Sequence, residues 1–481
     1  MPTPALNITA EFNTVFLKGR KMTYFFETYG CEMNLSESAA VEQIFISRGW
    51  KKADDVQLAD VVVINTCSVR ATAETRIFGR LGFYSGLKAV RHMEPNAKTR
   101  SMETAAEYVK KNGPVTLTVI VMGCMAERLL KSLQKEWPVV DYVVGTYAKN
   151  KFGDIITAVE EGRKPFEIDD SPVYTFAETS YEEGAFSAFV PIMHGCNNFC
   201  SYCIVPYVRG REVSRPLDQI LHELDILSAR GVKEITLLGQ NVNSYRGEDG
   251  LNFPGLLKKI GAYIDEKKSS IEWIRFESSN PKDFSDELIQ EIVSNRHVCT
   301  GLHVAVQHGS TKILKAMNRR YTREDYLVLV NKIKAAVPDA ALTTDIMLGF
   351  PGESDEDFEE VLSLMKEVQY ESAFMYYYNP REGTPAAVME NQIPMEVKKA
   401  RLQKVIDTQL KITSSVMSRY VGRTEKVLAD IISRDNPKEL LAKTERNERV
   451  AFEAPASLIG KFVTVKIESL NGNTFRGTLV E

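Results

Sequence analysis

The sequence predicts an α/β multidomain protein: an N-terminal α/β domain, a partial (β/α)6 barrel and a small antiparallel β-barrel at the C-terminus. Three observations carry this. Short apolar runs alternate with helical spacing up to about residue 145, six further β/α repeats follow, and the last 66 residues switch to period-2 alternation. The expected boundaries are a loose leader at 1–21, a first domain at 22–147, a linker at 148–184, the barrel at 185–415 and the small β-barrel at 416–481.

In the first domain, T23-Y-F-F-E-T-Y29, D60-V-V-V-I-N65, L117-T-V-I-V-M122 and D141-Y-V-V-G145 read as buried parallel strands, with a helix over Glu37–Arg48. The stretch from Gly86 to Pro114 is polar and basic (Lys88, Arg91, Lys98, Arg100, Lys110, Lys111) and reads as a surface insertion. The barrel strands are expected at 189–193, 234–238, 273–277, 301–306, 341–348 and 373–378. Six repeats are too few for a closed eight-stranded barrel. After a charged helix over 394–420, strands are expected at 427–432, 449–452, 462–467 and 475–480.

Composition is that of an ordinary globular protein, with 44% apolar and 26% charged residues. A net charge of −4 gives no global signature of nucleic-acid binding, so any RNA would be held by local basic patches. The C-terminal region, with 11 Lys/Arg against 9 Asp/Glu, is slightly basic. Neither a signal peptide nor a run of about 20 apolar residues is present, which suggests a cytoplasmic protein with no membrane association. Seven cysteines in that reducing compartment point to metal or redox chemistry rather than disulfides.

Three of the seven stand at Cys196, Cys200 and Cys203, directly after the first barrel strand, where such folds place their chemistry. Thiolates at i, i+4 and i+7 can wrap zinc, with His194 as a fourth ligand, or an iron–sulfur cube whose fourth iron stays open. His194 itself reads as a packed strand-end residue. Cys31, Cys67 and Cys124 each follow a strand of the first domain, so a parallel sheet puts all three on one edge, as a second metal site. Cys299 has no such setting and reads as a buried thiol.

C196-N-N-F-C-S-Y-C203 resembles the radical S-adenosylmethionine signature, with Tyr202 before the last cysteine. From Met22 to Glu481 the chain resembles the methylthiotransferase family, which adds a TRAM barrel. The matching motifs are Y29-G-C-E-M-N34, N65-T-C-S-V-R70, G123-C-M-A-E-R128, C203-I-V-P-Y-V-R-G-R-E-V-S-R-P216, T343-T-D-I-M-L-G-F-P-G-E353 and R381-E-G-T-P-A386. M317-N-R-R-Y-T-R323 and V368-Q-Y-E-S-A-F374 favour its MiaB-type branch.

The resemblance implies two 4Fe-4S clusters and two uses of S-adenosylmethionine, one as methyl donor and one as radical source. It implies methylthio transfer to C2 of N6-isopentenyladenosine in a tRNA anticodon stem-loop, with an external electron donor, an unassigned sulfur source and a monomeric enzyme. It also implies a cofactor pocket around Tyr202, Gly349, Phe350, Gly352 and Glu353, with Gln240, Asn241, Glu277 and Ser279 aimed at the same face. Arg209, Arg211 and Arg215 suit phosphate, extended by the basic 312–323 stretch, and Tyr29, Asn34 and Arg381 are positioned to meet the base. Two alternatives stand beside this one: a threonylcarbamoyladenosine or ribosomal-protein aspartate as target, and a non-catalytic metal-bearing RNA-binding protein.

Overall fold

A computed structural model of the chain describes residues 22–68, 71–168 and 173–480. The expected leader and residues 169–172 of the expected linker lie outside these. The chain forms two compact units, one running to Tyr181 and including Tyr207–Gly210, the other comprising Glu182–Pro206 and the chain from Arg211 onward.

The first unit is built on a parallel sheet of β1 (Thr23–Thr28), β2 (Lys51–Lys52), β3 (Val61–Thr66), β4 (Thr118–Gly123) and β5 (Tyr142–Val144), ordered β2-β1-β3-β4-β5. Every residue of β3 is buried, as its unbroken Val/Ile run requires for a strand covered on both faces. One face packs Val62, Ile64, Val119 and Val121 on the helix Ala71–Arg91; the other packs Val61, Val63 and Ile120 on Val41, Phe45, Phe152 and Ile155. The last two belong to the helix Phe152–Glu160, so residues read as the start of a linker contribute to this core.

The basic stretch after Gly86 is a correction to the sequence reading. It continues the helix to Arg91 and then forms a second helix, Glu103–Asn112, whose Ala105, Ala106 and Val109 join the core together with Met102. Arg91 is buried, donating to the carbonyls of Ala59 and Thr116, while Lys98, Arg100, Lys110 and Lys111 face solvent. Lys110 and Lys111 occupy the outer side of that second helix, Lys98 and Arg100 lie on the connection before it, and the short apolar residues on the helix's other side fill the core.

The second unit carries the six expected barrel strands, β6 (Ser187–Pro191), β9 (Glu234–Leu238), β10 (Trp273–Phe276), β11 (Gly301–His303), β12 (Ala341–Leu348) and β13 (Ser372–Tyr377); a small hairpin of β7 (Met193–His194) and β8 (Val213–Ser214) sits between the first two. They pair in parallel as β6-β9-β10 and β11-β12-β13, and the parallel bridge Ser279↔Val304 joins the two halves into an open partial barrel. The C-terminal barrel is closed, in the order β14 (Thr424–Ile432), β15 (Glu439–Thr444), β16 (Arg449–Glu453), β18 (Thr474–Leu479), β17 (Phe462–Asn471) and back to β14. β15 was missed in the sequence. Its alternation is complete, but Ala442 and Thr444 make a faint apolar face. Arg275 anchors the barrel, donating to Glu234 and to the carbonyls of Thr444 and Glu445.

Candidate active site: two sets of three cysteines

In the first unit, β1, β3 and β4 are adjacent and in register, so their C-terminal ends form one edge. Cys31 caps the N-terminus of the helix Glu32–Ser47, Cys67 follows β3, and Cys124 opens the helix Cys124–Arg128. Glycines let the backbones approach there. A Cβ on Gly30 would lie 2.9 Å from Cβ of Cys67, and one on Gly123 would lie 2.6 Å from the carbonyl of Thr66; both glycines have positive φ.

Two buried asparagines tie the edge together. Asn34 Nδ2 donates to Asn65 Oδ1 (2.8 Å) and to the Thr66 carbonyl (3.0 Å), and Asn65 Nδ2 returns a bond to the Asn34 carbonyl (2.8 Å). The Cys31 thiol donates to Asn34 Oδ1 at 3.3 Å. Asn34 is thus fully buried and committed to the cysteine loops, not presented to a base. Tyr29 is half-buried, its hydroxyl on Glu27.

The second trio lies on one loop. Cys196 and Cys200 are buried and Cys203 is half-buried. Gln240 Oε1 accepts from the backbone N–H of Gly195 at 2.6 Å, which fixes the loop entry. Arg319 reaches it from the far side, Nη1 to Cys200 Sγ at 3.4 Å, with Nη2 on the Ala305 carbonyl. The sequence placed Arg319 in a phosphate patch; its burial makes it instead a neighbour of the thiols. Other members of that stretch are also engaged, Lys312 with Asp357 and Arg323 with the Glu360 carbonyl and Glu367.

Around this loop, Tyr202 packs with Met317, Met347, Phe350 and Tyr378. Glu353 is buried and turned inward, accepting from the N–H groups of Gly349 (2.7 Å) and Phe350 (3.3 Å) and pairing with Arg401 (2.6 Å) and His308 (3.2 Å). It braces the turn, and Gly352 is held by its N–H on the Asn391 carbonyl. Asn241 joins Asp283 and the Asn280 N–H, Ser279 donates to Asn243, and Glu277 is half-buried past β10. Arg381 is half-buried, and its carbonyl accepts from Thr384.

The three loop arginines separate in the structure. Arg215 is buried against Glu223 and the Pro191 carbonyl, and Arg209 is buried against Glu37 and Cys124. Arg211 alone of the three is exposed, its guanidinium 4.4 Å from the Phe199 ring. Neither buried arginine presents its fork to solvent.

Burial pushes the Cys124 thiol up to about 12, with Arg209 pulling the other way, and burial beside Cys200 does the same to Cys203. Burial also raises Cys31 and Cys196. Metal binding at either trio therefore releases thiol protons. Among the described residues, no three His, Cys, Asp or Glu side chains converge tightly enough for a single metal ion, as mononuclear zinc would require. In an iron–sulfur cube each cysteine takes a different iron, so the sulfurs stand farther apart. His194 is fully buried in β7, in keeping with a packed strand residue, and Cys299 is buried against Trp273 and Leu428.

A protein of Treponema pallidum (strain Nichols) named tRNA-2-methylthio-N(6)-dimethylallyladenosine synthase is 50% identical over 477 residues, covering 96% of this chain and 99% of that one. The chain belongs to that synthase family. Proteins of the same name from Treponema denticola and Acetivibrio thermocellus are 47% and 40% identical, covering 95% and 99% of this chain and 100% and 94% of theirs. Family models match at residues 190–365 (radical SAM superfamily), 23–94 (uncharacterized protein family UPF0004) and 418–480 (TRAM domain).

Among solved structures, the radical S-adenosylmethionine methyltransferase TsrM of Kitasatospora setae, with cobalamin and a 4Fe-4S cluster bound, superposes with a TM-score of 0.53 at 14% identity, covering 77% of each chain. That likeness supports the fold. Members of this family are radical S-adenosylmethionine methylthiotransferases, and the superfamily implies a 4Fe-4S cluster and S-adenosylmethionine. Among the described residues no helix is long and apolar enough to cross a membrane.

Proposed function

We propose that this chain transfers a methylthio group to C2 of N6-isopentenyladenosine beside the tRNA anticodon, using a radical S-adenosylmethionine cluster on Cys196, Cys200 and Cys203 and an auxiliary cluster on Cys31, Cys67 and Cys124. The observation that carries it is the trio Cys31, Cys67 and Cys124, three thiols that follow three adjacent strands and share one sheet edge braced by the Asn34–Asn65 bracket. Their chemistry suits an iron–sulfur centre: soft donors, mostly buried, with a cation against one of them. The names of the relatives supply the substrate.

When bound, the first cluster with S-adenosylmethionine supplies a 5′-deoxyadenosyl radical. The chain's own residues hold and shield that chemistry. Gln240 and Arg319 fix the cysteine loop, Tyr202 and Phe350 give it an apolar wall, and Glu353 sets the turn at Gly349 and Gly352 for a cofactor to meet backbone. Asn241, Glu277 and Ser279 add polar groups past β9 and β10.

On the substrate side we assign Arg211 to phosphate and Tyr29 and Arg381 to the base, in an anticodon loop whose single strand eases exposure of that base. The functional domains are taken as 22–147, 185–415 and 416–481, in a cytoplasmic monomer served by an external electron donor. The test is anaerobic iron and sulfide analysis of the full chain beside a C196A/C200A/C203A variant. About eight irons falling to about four is expected; four falling to none refutes the auxiliary site. Incubation with tRNA lacking the isopentenyl group should give little product, and full product there would move the target to another nucleoside.

A further inference from the structure

The mechanism leaves one buried group unused. Arg209 lies on the segment Tyr207–Gly210, which belongs to the first unit, and only 2% of its surface is exposed. Its Nε–H donates to Cys124 Sγ at 3.2 Å. Both outer nitrogens fork onto Glu37, Nη1 to Oε1 at 2.8 Å and Nη2 to Oε2 at 3.2 Å. Glu37 also holds Lys149 Nζ at 2.9 Å, and Lys149 reaches the Tyr174 hydroxyl at 2.8 Å. The segment is pinned by its own backbone, with Thr146 Oγ1 donating to the Val208 carbonyl and Tyr147 Oη to that of Arg209.

Arg209 and Lys149 both pair with Glu37, and this places a buried guanidinium directly against a cysteine sulfur of the trio. The potential of an iron–sulfur centre is set by its net charge, by hydrogen bonds to its sulfurs and by its exposure to solvent. Arg209 acts on the first two at once.

We propose that Arg209, oriented by Glu37, is the positioning residue of the auxiliary cluster: its Nε–H on Cys124 sulfur and its charge favour the reduced, more negative state and set the cluster's potential. This rests on Cys31, Cys67 and Cys124 holding that cluster. The sequence assigned Arg209 to phosphate; its geometry assigns it to sulfur.

The test uses the full chain carrying C196A, C200A and C203A, loaded anaerobically so that only the auxiliary cluster reports, with the midpoint potential followed by electron paramagnetic resonance. R209Q should disfavour reduction at least tenfold, a downward shift of about 59 mV for a one-electron couple. R209K, which keeps the charge without the Nε–H geometry, should fall between R209Q and the parent. E37Q, which removes a negative charge, should shift the potential upward. A general loosening of the site would move R209Q and E37Q together, so shifts of opposite sign mark the electrostatic role.

Unchanged potentials at full iron content overturn the inference and leave the cluster assignment standing. If R209Q holds no iron, E37Q and R209K decide, and an E37Q potential that fails to rise overturns it. A parent without iron sinks both.

Discussion

Replacing Glu371 by Gln should flatten the dependence of stability on pH in the second unit. Glu371 precedes β13 and is buried, with its backbone N–H on the Leu342 carbonyl and its carbonyl accepting from Thr413. Its carboxyl faces that of Glu448 from the C-terminal barrel, which is itself buried and holds Thr444 and Arg446, each at 2.8 Å. Burial and the neighbouring Glu448 push Glu371 up to about 8, against the pull of Arg446.

The folded protein therefore keeps a proton between the ordinary glutamate value and about pH 8 that the unfolded chain has released. Stability is fully present below that window and is lost as pH rises through it, by up to about 1.4 kcal/mol per pH unit. Between pH 5.5 and 7.5 the wild type should lose about 2–3 kcal/mol relative to E371Q. Trp273 stacks edge-on to Phe462 of the barrel with ring centroids 4.7 Å apart. With Trp50 and Trp137 replaced by Phe, its fluorescence reports the barrel in urea titrations across that range. Parallel slopes in E371Q and its parent would refute the reasoning.

G123A, which puts a Cβ 2.5 Å from Asn65 Oδ1, should displace the start of the Cys124 helix and lower iron content in the C196A/C200A/C203A background to well below four, measured by iron analysis. R275A leaves Glu234 buried without its partner, and urea denaturation should show a loss of about 3–5 kcal/mol. E353Q weakens the bonds to Arg401 and to the Gly349 N–H, and should loosen S-adenosylmethionine binding about tenfold in equilibrium dialysis, equivalent to about 1.4 kcal/mol.

What was legible in the sequence was local. Runs such as V61-V-V-I64 announce buried strands by themselves, and three thiols within eight positions announce a shared centre. The edge shared by Cys31, Cys67 and Cys124 followed from their common place after parallel strands, which the register of β1, β3 and β4 realises. The fate of the arginines was not local. Arg209 meets Glu37 across 172 positions and Arg319 meets Cys200 across 119, so nothing near either residue distinguishes a buried counter-charge from a solvated one. The helix after Gly86 shows the same limit. Four of its six noted cations, Lys88, Arg91, Lys110 and Lys111, lie on two helices whose apolar side is what the fold uses, Lys98 and Arg100 lie between those helices, and Arg91 is drawn inside by two carbonyls. Glu353 was placed against the cofactor from its motif, and its actual partners, Arg401 and His308, lie 48 and 45 residues away.

The C-terminal barrel closes on itself through pairing of Thr424–Leu428 with Phe462–Lys466. Closure leaves no strand with a free row of N–H and C=O groups, so nothing can join this barrel by adding a strand to it. Whatever it grips must be gripped by side chains and loop tips. Those are parts that can be exchanged without disturbing a single ladder hydrogen bond, so its selectivity is free to change while its architecture stays fixed.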